Sequence, residues 1–299
     1  MSDTEERIRN DLATQIKEPV RAVRPIPEGH SGFTYWVELD GHRGVLRLPP
    51  PGARIAGPAD IPRQARIMAA LREQGLPVPV VIATSEDAVV DGRPFVLMEA
   101  VHGDRVEQAI DAGSTPLQLA ASAVEVLRRL QAVPRENTGI GGEDPMPLQG
   151  EIARWTWLME RAPAELTAQT PRLAQLLLAR QPQPRPPVLV HGDYHFGNML
   201  FERGGVAAVV DWEIAQLGQP LLDLCCISLS HVSADAVREM YGADPADYRW
   251  YLALTHYKYA AIFGYNLMLH RRGKRPDPSY ELRTDTILGL IDQGVGLLG

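Results

Sequence analysis

The stretch that decides the reading is VLVHGDYHFGNMLFERGGVAAVVD, residues 188–211. Two apolar, β-rich runs, at 188–190 and 206–210, flank a short polar loop. The first run leads into His191-Gly192-Asp193 and the second stops at Asp211. Asn198 lies five residues after Asp193, and Asp211 lies eighteen after it. An H-x-D-x-x-x-x-N segment followed by an acid after the next strand is a spacing that serves phosphoryl transfer. One aspartate accepts a hydroxyl proton, while the asparagine and the second aspartate hold Mg²⁺ on nucleotide phosphates.

Each member has a plainer reading. Asp193 alone reads as a turn cap; Asn198 and Asp211 at these offsets point instead to a general base, a role typically worth about 10²–10⁴-fold in rate. Asn198 and Asp211 offer the hard oxygens that Mg²⁺ prefers, and Mg²⁺ takes few protein ligands beside phosphate and water. By itself Asn198 serves equally well as a loop residue bonding its own backbone. His191 and His195 also fit the H-x-D-x-H spacing of some metal hydrolases, with His231, His256 or His270 as further ligands. That reading leaves the apolar strands and Asn198 unexplained. His191 is better placed as a buried histidine that steadies the loop, and His195 as a residue facing a cleft.

The surrounding chain supplies the setting. Strand-like runs occupy 20–26, 33–39 and 44–48, with Asp40-Gly41 as a hairpin signal. Residues 28–32, Glu-Gly-His-Ser-Gly, make a small-residue turn that can bring backbone N–H groups to phosphate oxygens, or serve as a plain hairpin turn. Arg47, on the third strand, is a cation for the phosphates if that turn lies over a nucleotide, and otherwise a solvent-facing strand arginine. A helix is expected over 61–74, capped by Gly75, and strand runs over 80–83, 88–90 and 95–98, with Asp91-Gly92 as a second hairpin. The first hundred residues therefore read as a five-stranded sheet with one helix. From 104 onward helical periodicity dominates. Thr115-Pro116 signals a helix start, and helices follow at 151–161, 172–180, 221–230, 234–241, 247–271 and 280–298. Trp155, Trp157, Tyr257, Tyr259, Phe263 and Tyr265 read as core packing rather than a substrate box. The division expected is a lobe at 1–98, a hinge at 99–103 and a helical lobe at 104–299.

Composition bounds the partners. The 299 residues are 45% apolar and 22% charged, an ordinary globular balance. The net charge of −7, without a Lys/Arg run, argues against nucleic acid and is compatible with a cationic substrate. The two cysteines are adjacent, Cys225-Cys226, with no CxxC motif, which suits a reducing compartment. The charged start MSDTEERIRN carries no signal-peptide core, and no apolar run approaches the roughly 20 residues of a membrane span. A cytoplasmic location is the expectation. Oligomeric state is not legible.

Taken together, the chain resembles the aminoglycoside phosphotransferase family of small-molecule kinases. The resemblance is carried by His191-Gly192-Asp193-Tyr194-His195-Phe196-Gly197-Asn198-Met199-Leu200, by Val210-Asp211-Trp212-Glu213, and by Gly218-Gln219-Pro220-Leu221-Leu222-Asp223-Leu224. Upstream, Val45-Leu46-Arg47 and Phe95-Val96-Leu97-Met98-Glu99, followed by Gly103, are similar to the family's nucleotide-lobe strand and hinge. It spans residues 25 to 270, roughly, and extends to macrolide phosphotransferases and to the kinase-like domain fused to some acyl-CoA dehydrogenases. The resemblance implies an α+β, bilobal protein-kinase-like fold. It implies Asp193 as base and Asn198 and Asp211 on Mg²⁺. Ser31 and Gly32 would lie over the phosphates with Arg47, backbone groups of Glu99 and Val101 would hydrogen-bond the purine of ATP or GTP, and Met98 would lie beside it. Asp223 would brace the catalytic loop. Three departures stand out: the usual strand lysine is Arg47, its usual helix glutamate is Gln64, and the aspartate of the usual Gly-Asp-Pro turn is Gln219. An arginine stays charged without a carboxylate, so Arg47 is expected to act as a self-sufficient clamp, and Gln219 is expected to be structural.

The functional expectation is O-phosphorylation of a hydroxyl on a small molecule, with an antibiotic as the leading class. A phosphoryl group adds roughly −2 charge and blocks target contacts. The alternatives are a kinase of a metabolite, such as an amino alcohol or an acyl-linked hydroxyl, and a nucleotide-binding module without catalysis. Arg47 and Gln64 keep the last alternative open, while intact Asp193, Asn198 and Asp211 oppose it.

Overall fold

The computed structural model describes residues 2–26 and 33–299. Helix α1 (Asp3–Gln15) starts at a capping box, in which Ser2 and Glu5 satisfy each other's backbone N–H groups. Strands β1 (Ala22–Pro25), β2 (Thr34–Glu38) and β3 (Arg43–Arg47) follow, then α2 (Ile61–Glu73), β4 (Val81–Val90) and β5 (Arg93–Glu99). The five strands form one antiparallel sheet in the order β1-β2-β3-β5-β4, as the sequence led us to expect. Alternation explains its buried face: Tyr35 and Val37 point inward from β2 while Trp36 is exposed. Val23, Leu46, Phe95 and Leu97 join them, and Ile8 and Leu12 of α1 close this core.

One detail of the sheet differs from expectation. The runs at 80–83 and 88–90 belong to a single strand, β4, which continues through exposed Glu86 and Asp87 with register shifts. β4 is an edge strand, and its backbone pairs with β5 whatever its side chains are. The Asp91-Gly92 hairpin is tight, with φ of +48° and +69° at its two central residues, as a two-residue primed turn requires.

Beyond β5 come α3 (Val106–Asp111), α4 (Pro116–Gln131), α5 (Leu148–Met159) and α6 (Thr170–Ala179). Thr115 caps α4 by accepting the Gln118 N–H at 3.2 Å. Strands β6 (Val188–Val190), β7 (Met199–Glu202), β8 (Gly205–Val209) and β9 (Gln216–Gly218) carry the loop region. The chain ends in α7 (Leu221–Ile227), α8 (Ala234–Tyr241), α9 (Pro245–Arg271) and α10 (Thr284–Leu298). The last helix starts later than expected, because a 3₁₀ segment, Pro278–Arg283, precedes it.

The residues group into two compact units, Met1–Glu143 with His191–Gln216, and Asp144–Val190 with Leu217–Gly299. In the first unit the β7–β8 hairpin is held by three elements. Asp104 and Phe201 exchange backbone bonds at 2.8 and 2.9 Å, the Val209 N–H donates to the Pro77 carbonyl at 2.8 Å, and the Val206 N–H donates to the α4 hydroxyl of Ser122 at 2.9 Å. The second unit is built around α9, which is buried nearly all round by α5, α6, α7 and α10. Its proline-rich segment at 182–187 is clasped by Gln219, which accepts from the Arg185 N–H at 2.7 Å and donates to the Arg185 carbonyl at 2.9 Å. Gln219 is structural, as anticipated. Among the described residues, no helix is long and apolar enough to cross a membrane.

Candidate active site

The loop between β6 and β7 is set by a buried histidine. His191 is fully buried. Its Nε2 is 2.9 Å from the Val210 carbonyl, and its Nδ1 accepts the Asp193 N–H at 3.1 Å. This pairing assigns a neutral ring with the proton on Nε2. Burial agrees, pushing the imidazole down to about 4. The ring also meets Trp212 edge-on at 4.5 Å. His191 therefore ties the start of the loop to the end of β8. Gly192 has φ +85°, and a Cβ there would lie 2.7 Å from the Ile214 carbonyl oxygen, so this position requires glycine.

Asp193 and Asn198 meet directly. The Asn198 amide nitrogen donates to the Asp193 carboxylate at 3.0 Å and to its carbonyl at 2.9 Å. With its nitrogen committed to Asp193, Asn198 keeps its side-chain oxygen for another partner. His195 Nδ1 accepts the Gly197 N–H at 3.0 Å, and its Nε2 stands 3.4 Å from the Asp193 carboxylate. The Asn198 carbonyl accepts from the Val210 N–H at 2.9 Å, which brings Asn198 beside the residue preceding Asp211. Asp211 has φ +68°, a left-handed backbone that a non-glycine residue holds only where its surroundings over-determine it.

Arg47 is not the unpartnered clamp expected from sequence. At the end of β3, its Nη1 donates to Asp211 Oδ1 at 2.8 Å and its Nη2 to Glu213 Oε2 at 3.1 Å. Burial by itself would lower the guanidinium pKa, but Asp211 and Glu213 more than offset this and raise it. Burial pushes the Glu213 carboxyl up, to about 7, and Asp211 adds to the rise while Arg47 pulls the other way. Gln64 does not reach toward Arg47; it is buried and donates to the Pro58 carbonyl at 3.0 Å. The carboxylate missing from α2 is thus supplied from beyond Asp211. Glu213 lies in the sequence motif that ends the second apolar run, where no role falls to it by spacing alone. The signal was its place two residues after Asp211.

The remaining predicted residues are placed as follows. Met98 is buried near the end of β5. The Glu99 N–H donates to the Val80 carbonyl at 2.8 Å, so Glu99 has its carbonyl rather than its N–H to offer a base. Val101 lies just after β5, outside regular structure. Ser31 and Gly32, with the rest of the 28–32 turn, lie outside the described residues. Asp223 is fully buried on α7 in the second unit. Trp155, Tyr257 and Tyr259 are core residues as expected, but Trp157 is half exposed and carries the Arg161 guanidinium 3.7 Å from its ring centre. Among the described residues no group of three or more His, Cys, Asp and Glu side chains is arranged to hold a metal ion. The histidine-rich hydrolase arrangement therefore has no ligand set there.

The family model described as phosphotransferase enzyme family, APH, matches residues 22–254. Among curated proteins, acyl-CoA dehydrogenase family member 10 of Mus musculus is 30% identical over 234 residues, covering 76% of this chain and 22% of that protein. Acyl-CoA dehydrogenase family member 11 of Homo sapiens is 29% identical over 224 residues, covering 71% of this chain and 28% of that protein. The chain thus spans about a quarter of the length of these two relatives. Among solved structures, a Ralstonia eutropha protein assigned to the aminoglycoside phosphotransferases superposes with a TM-score of 0.78 at 22% identity, covering 98% of this chain and 97% of the other. An APH(2") enzyme in complex with GDP and kanamycin gives 0.71 at 18% identity, covering 95% and 97%. Spectinomycin phosphotransferase, with ADP and spectinomycin, gives 0.67 at 14% identity, covering 98% of both chains. These likenesses show the kinase-like fold, and the family model, matching residues 22–254, shows that the chain belongs to the APH phosphotransferase enzyme family.

Proposed function

We propose that this chain transfers the terminal phosphoryl group of a nucleoside triphosphate to a hydroxyl of a small molecule. The observation that carries the reading is the bond from the Asn198 amide to the Asp193 carboxylate, 3.0 Å, beside the strand end that bears Asp211. In this reading it joins the base to one oxygen ligand in the loop between β6 and β7, and the second ligand follows β8. Asp193 orients the acceptor hydroxyl and takes its proton as the phosphoryl group arrives. His195, 3.4 Å away, limits the orientations open to that carboxylate.

The donor set fits Mg²⁺. Asn198 turns its nitrogen to Asp193 and keeps its oxygen, and Asp211 is a hard carboxylate on a fixed backbone. These two residues would hold the ion, which when bound neutralises charge on the phosphates. Arg47 binds phosphate oxygens once nucleotide draws it from Asp211, and Glu213 retains one arm of its guanidinium. Ser31 and Gly32 are proposed over the phosphates, and Met98, the Glu99 carbonyl and Val101 around the purine. ATP and GTP both remain candidate donors, since solved neighbours include ADP and GDP complexes. The lobes proposed are 1–98 and 104–299, joined by 99–103, in a cytoplasmic protein.

For the acceptor, the antibiotic reading draws on the kanamycin and spectinomycin complexes of the structural neighbours. A second reading, a metabolite whose hydroxyl sits on an acyl chain, is favoured by the relatives of higher identity, which are acyl-CoA dehydrogenase family members. The test is Mg²⁺-dependent hydrolysis or transfer from γ-labelled ATP and GTP, screened against aminoglycosides, macrolides and hydroxyacyl compounds. Phosphorylation of one acceptor class, lost in Asp193→Ala, is the expected result. Retained turnover in Asp193→Ala would remove Asp193 as base. Nucleotide binding without turnover on any acceptor would favour a non-catalytic module.

A further inference from the structure

In the family resemblance, the phosphate-binding cation is coupled to a helix carboxylate. Here that link is absent, because Gln64 turns to the Pro58 carbonyl. The preceding residue makes a different one. Arg63, in the first turn of α2, is 14% exposed and holds Glu143 through both ends of its fork, Nε to Oε1 at 2.7 Å and Nη2 to Oε2 at 2.6 Å. Its Nη2 also donates to the Ala215 carbonyl at 2.9 Å. Glu143 is itself fixed. Arg135 donates to the carbonyls of Gly141 and Glu143, both at 2.7 Å. Gly139 packs so closely on α2 that a Cβ would stand 2.5 Å from the Arg66 carbonyl oxygen. The loop bearing Glu143 is therefore nested on α2, and Arg63 has little freedom.

Ala215 lies four residues after Asp211 and two after Glu213. Its N–H returns to the Trp212 carbonyl at 3.3 Å, closing a turn. Gripping its carbonyl fixes the segment that contains both carboxylates bound to Arg47. It also bears on Asp211, whose left-handed backbone needs outside support. A guanidinium meets both carboxylate oxygens with its planar fork while donating to the carbonyl; an ammonium can donate to both groups but lacks the fork.

We propose that Arg63 is a positioning residue: by tying α2 to the Ala215 carbonyl it holds Asp211 and Glu213 in place for Mg²⁺ and Arg47. This rests on the phosphotransferase reading. It assigns to α2 a link to the metal-binding segment through a backbone carbonyl, in place of a side-chain carboxylate.

The test measures binding, not turnover. The full chain and its Arg63→Gln, Arg63→Lys and Glu143→Gln variants are titrated calorimetrically with ADP and GDP, with and without MgCl₂. Mg²⁺ is then titrated against a fixed nucleotide concentration. Loss of an outer residue of a metal site typically costs about 10–100-fold in metal affinity. Arg63→Gln should therefore raise the half-saturating Mg²⁺ concentration about tenfold and leave Mg²⁺-free nucleotide affinity within about twofold. Arg63→Lys should fall between Arg63→Gln and the unaltered chain. An unchanged Mg²⁺ requirement overturns the inference. So does an equal weakening of nucleotide binding with and without Mg²⁺, which a merely structural role would give. If near-UV circular dichroism shows Arg63→Gln unfolded, Glu143→Gln decides, since it keeps the guanidinium: a shift of about threefold sustains the proposal and none overturns it. Failure of the unaltered chain to bind either nucleotide would fall on the phosphotransferase reading itself.

Discussion

Arg47 Nη1 donates to Asp211 Oδ1 at 2.8 Å, across 164 residues of sequence. The cation at the end of β3 and the acid that follows β8 are thus paired directly, and Glu213 occupies the second arm of the fork. Each partner keeps the other's charge compensated in the absence of nucleotide. In the proposed reaction the phosphates and Mg²⁺ replace that pairing, so nucleotide binding exchanges one set of charge contacts for another.

Arg47→Lys tests the fork. A lysine can reach Asp211 or Glu213 but cannot hold both in one plane. With the planar geometry lost, we expect the KM for nucleotide to rise about tenfold, with a smaller change in kcat. Steady-state kinetics at saturating acceptor checks this. A variant with unchanged KM would show that Arg47 pairs with the carboxylates only.

Gly192→Ala tests the close passage of the loop. The residue has φ +85°, and the new methyl would meet the Ile214 carbonyl oxygen at 2.7 Å. A left-handed alanine costs roughly 1–2 kcal/mol and the clash with fixed backbone adds to it, so a loss of about 2–4 kcal/mol is expected. Urea unfolding measures it through the midpoint at constant slope.

Legibility followed sequence distance. The β6-to-β8 segment was readable because Asp193, Asn198 and Asp211 lie within a short span whose spacing is dictated by one hairpin. The Asp91-Gly92 turn and the Thr115-Pro116 cap were readable for the same reason: the chemistry is local. The partners of Arg47 and Arg63 were not, since Asp211 and Ala215 lie 164 and 152 residues away and are brought in by the fold. Residues 84–87 are polar and so interrupt the apolar pattern that marks a strand. An edge strand tolerates polar side chains, and its pairing is made by backbone groups. The acceptor site leaves no spacing rule in the chain, so the substrate class was not legible there.

His256 predicts a pH dependence of stability in the second unit. Burial lowers its imidazole to about 4 from an ordinary 6.5. Between these values the unfolded chain binds more protons than the folded one, so stability falls as pH drops through this window. From pH 7 to pH 5 the expected loss is on the order of 1–2 kcal/mol from this group. Chemical denaturation of the unaltered chain and His256→Gln at both pH values separates its share. The variant should lose correspondingly less stability on acidification.

Asn198→Ala tests two roles proposed for one side chain. Its nitrogen orients the Asp193 carboxylate at 3.0 Å, and its oxygen is the proposed metal ligand. Loss of orientation alone would lower kcat and leave the Mg²⁺ requirement unchanged. Loss of ligation alone would raise the Mg²⁺ requirement and let excess Mg²⁺ restore the rate. With both lost, kcat should fall by about 10²–10³-fold and remain low at saturating Mg²⁺, while half-saturating Mg²⁺ rises about tenfold or more. A Mg²⁺ titration of initial rates distinguishes the three patterns. Full recovery of kcat at high Mg²⁺ would show that the bond to Asp193 does not orient the base.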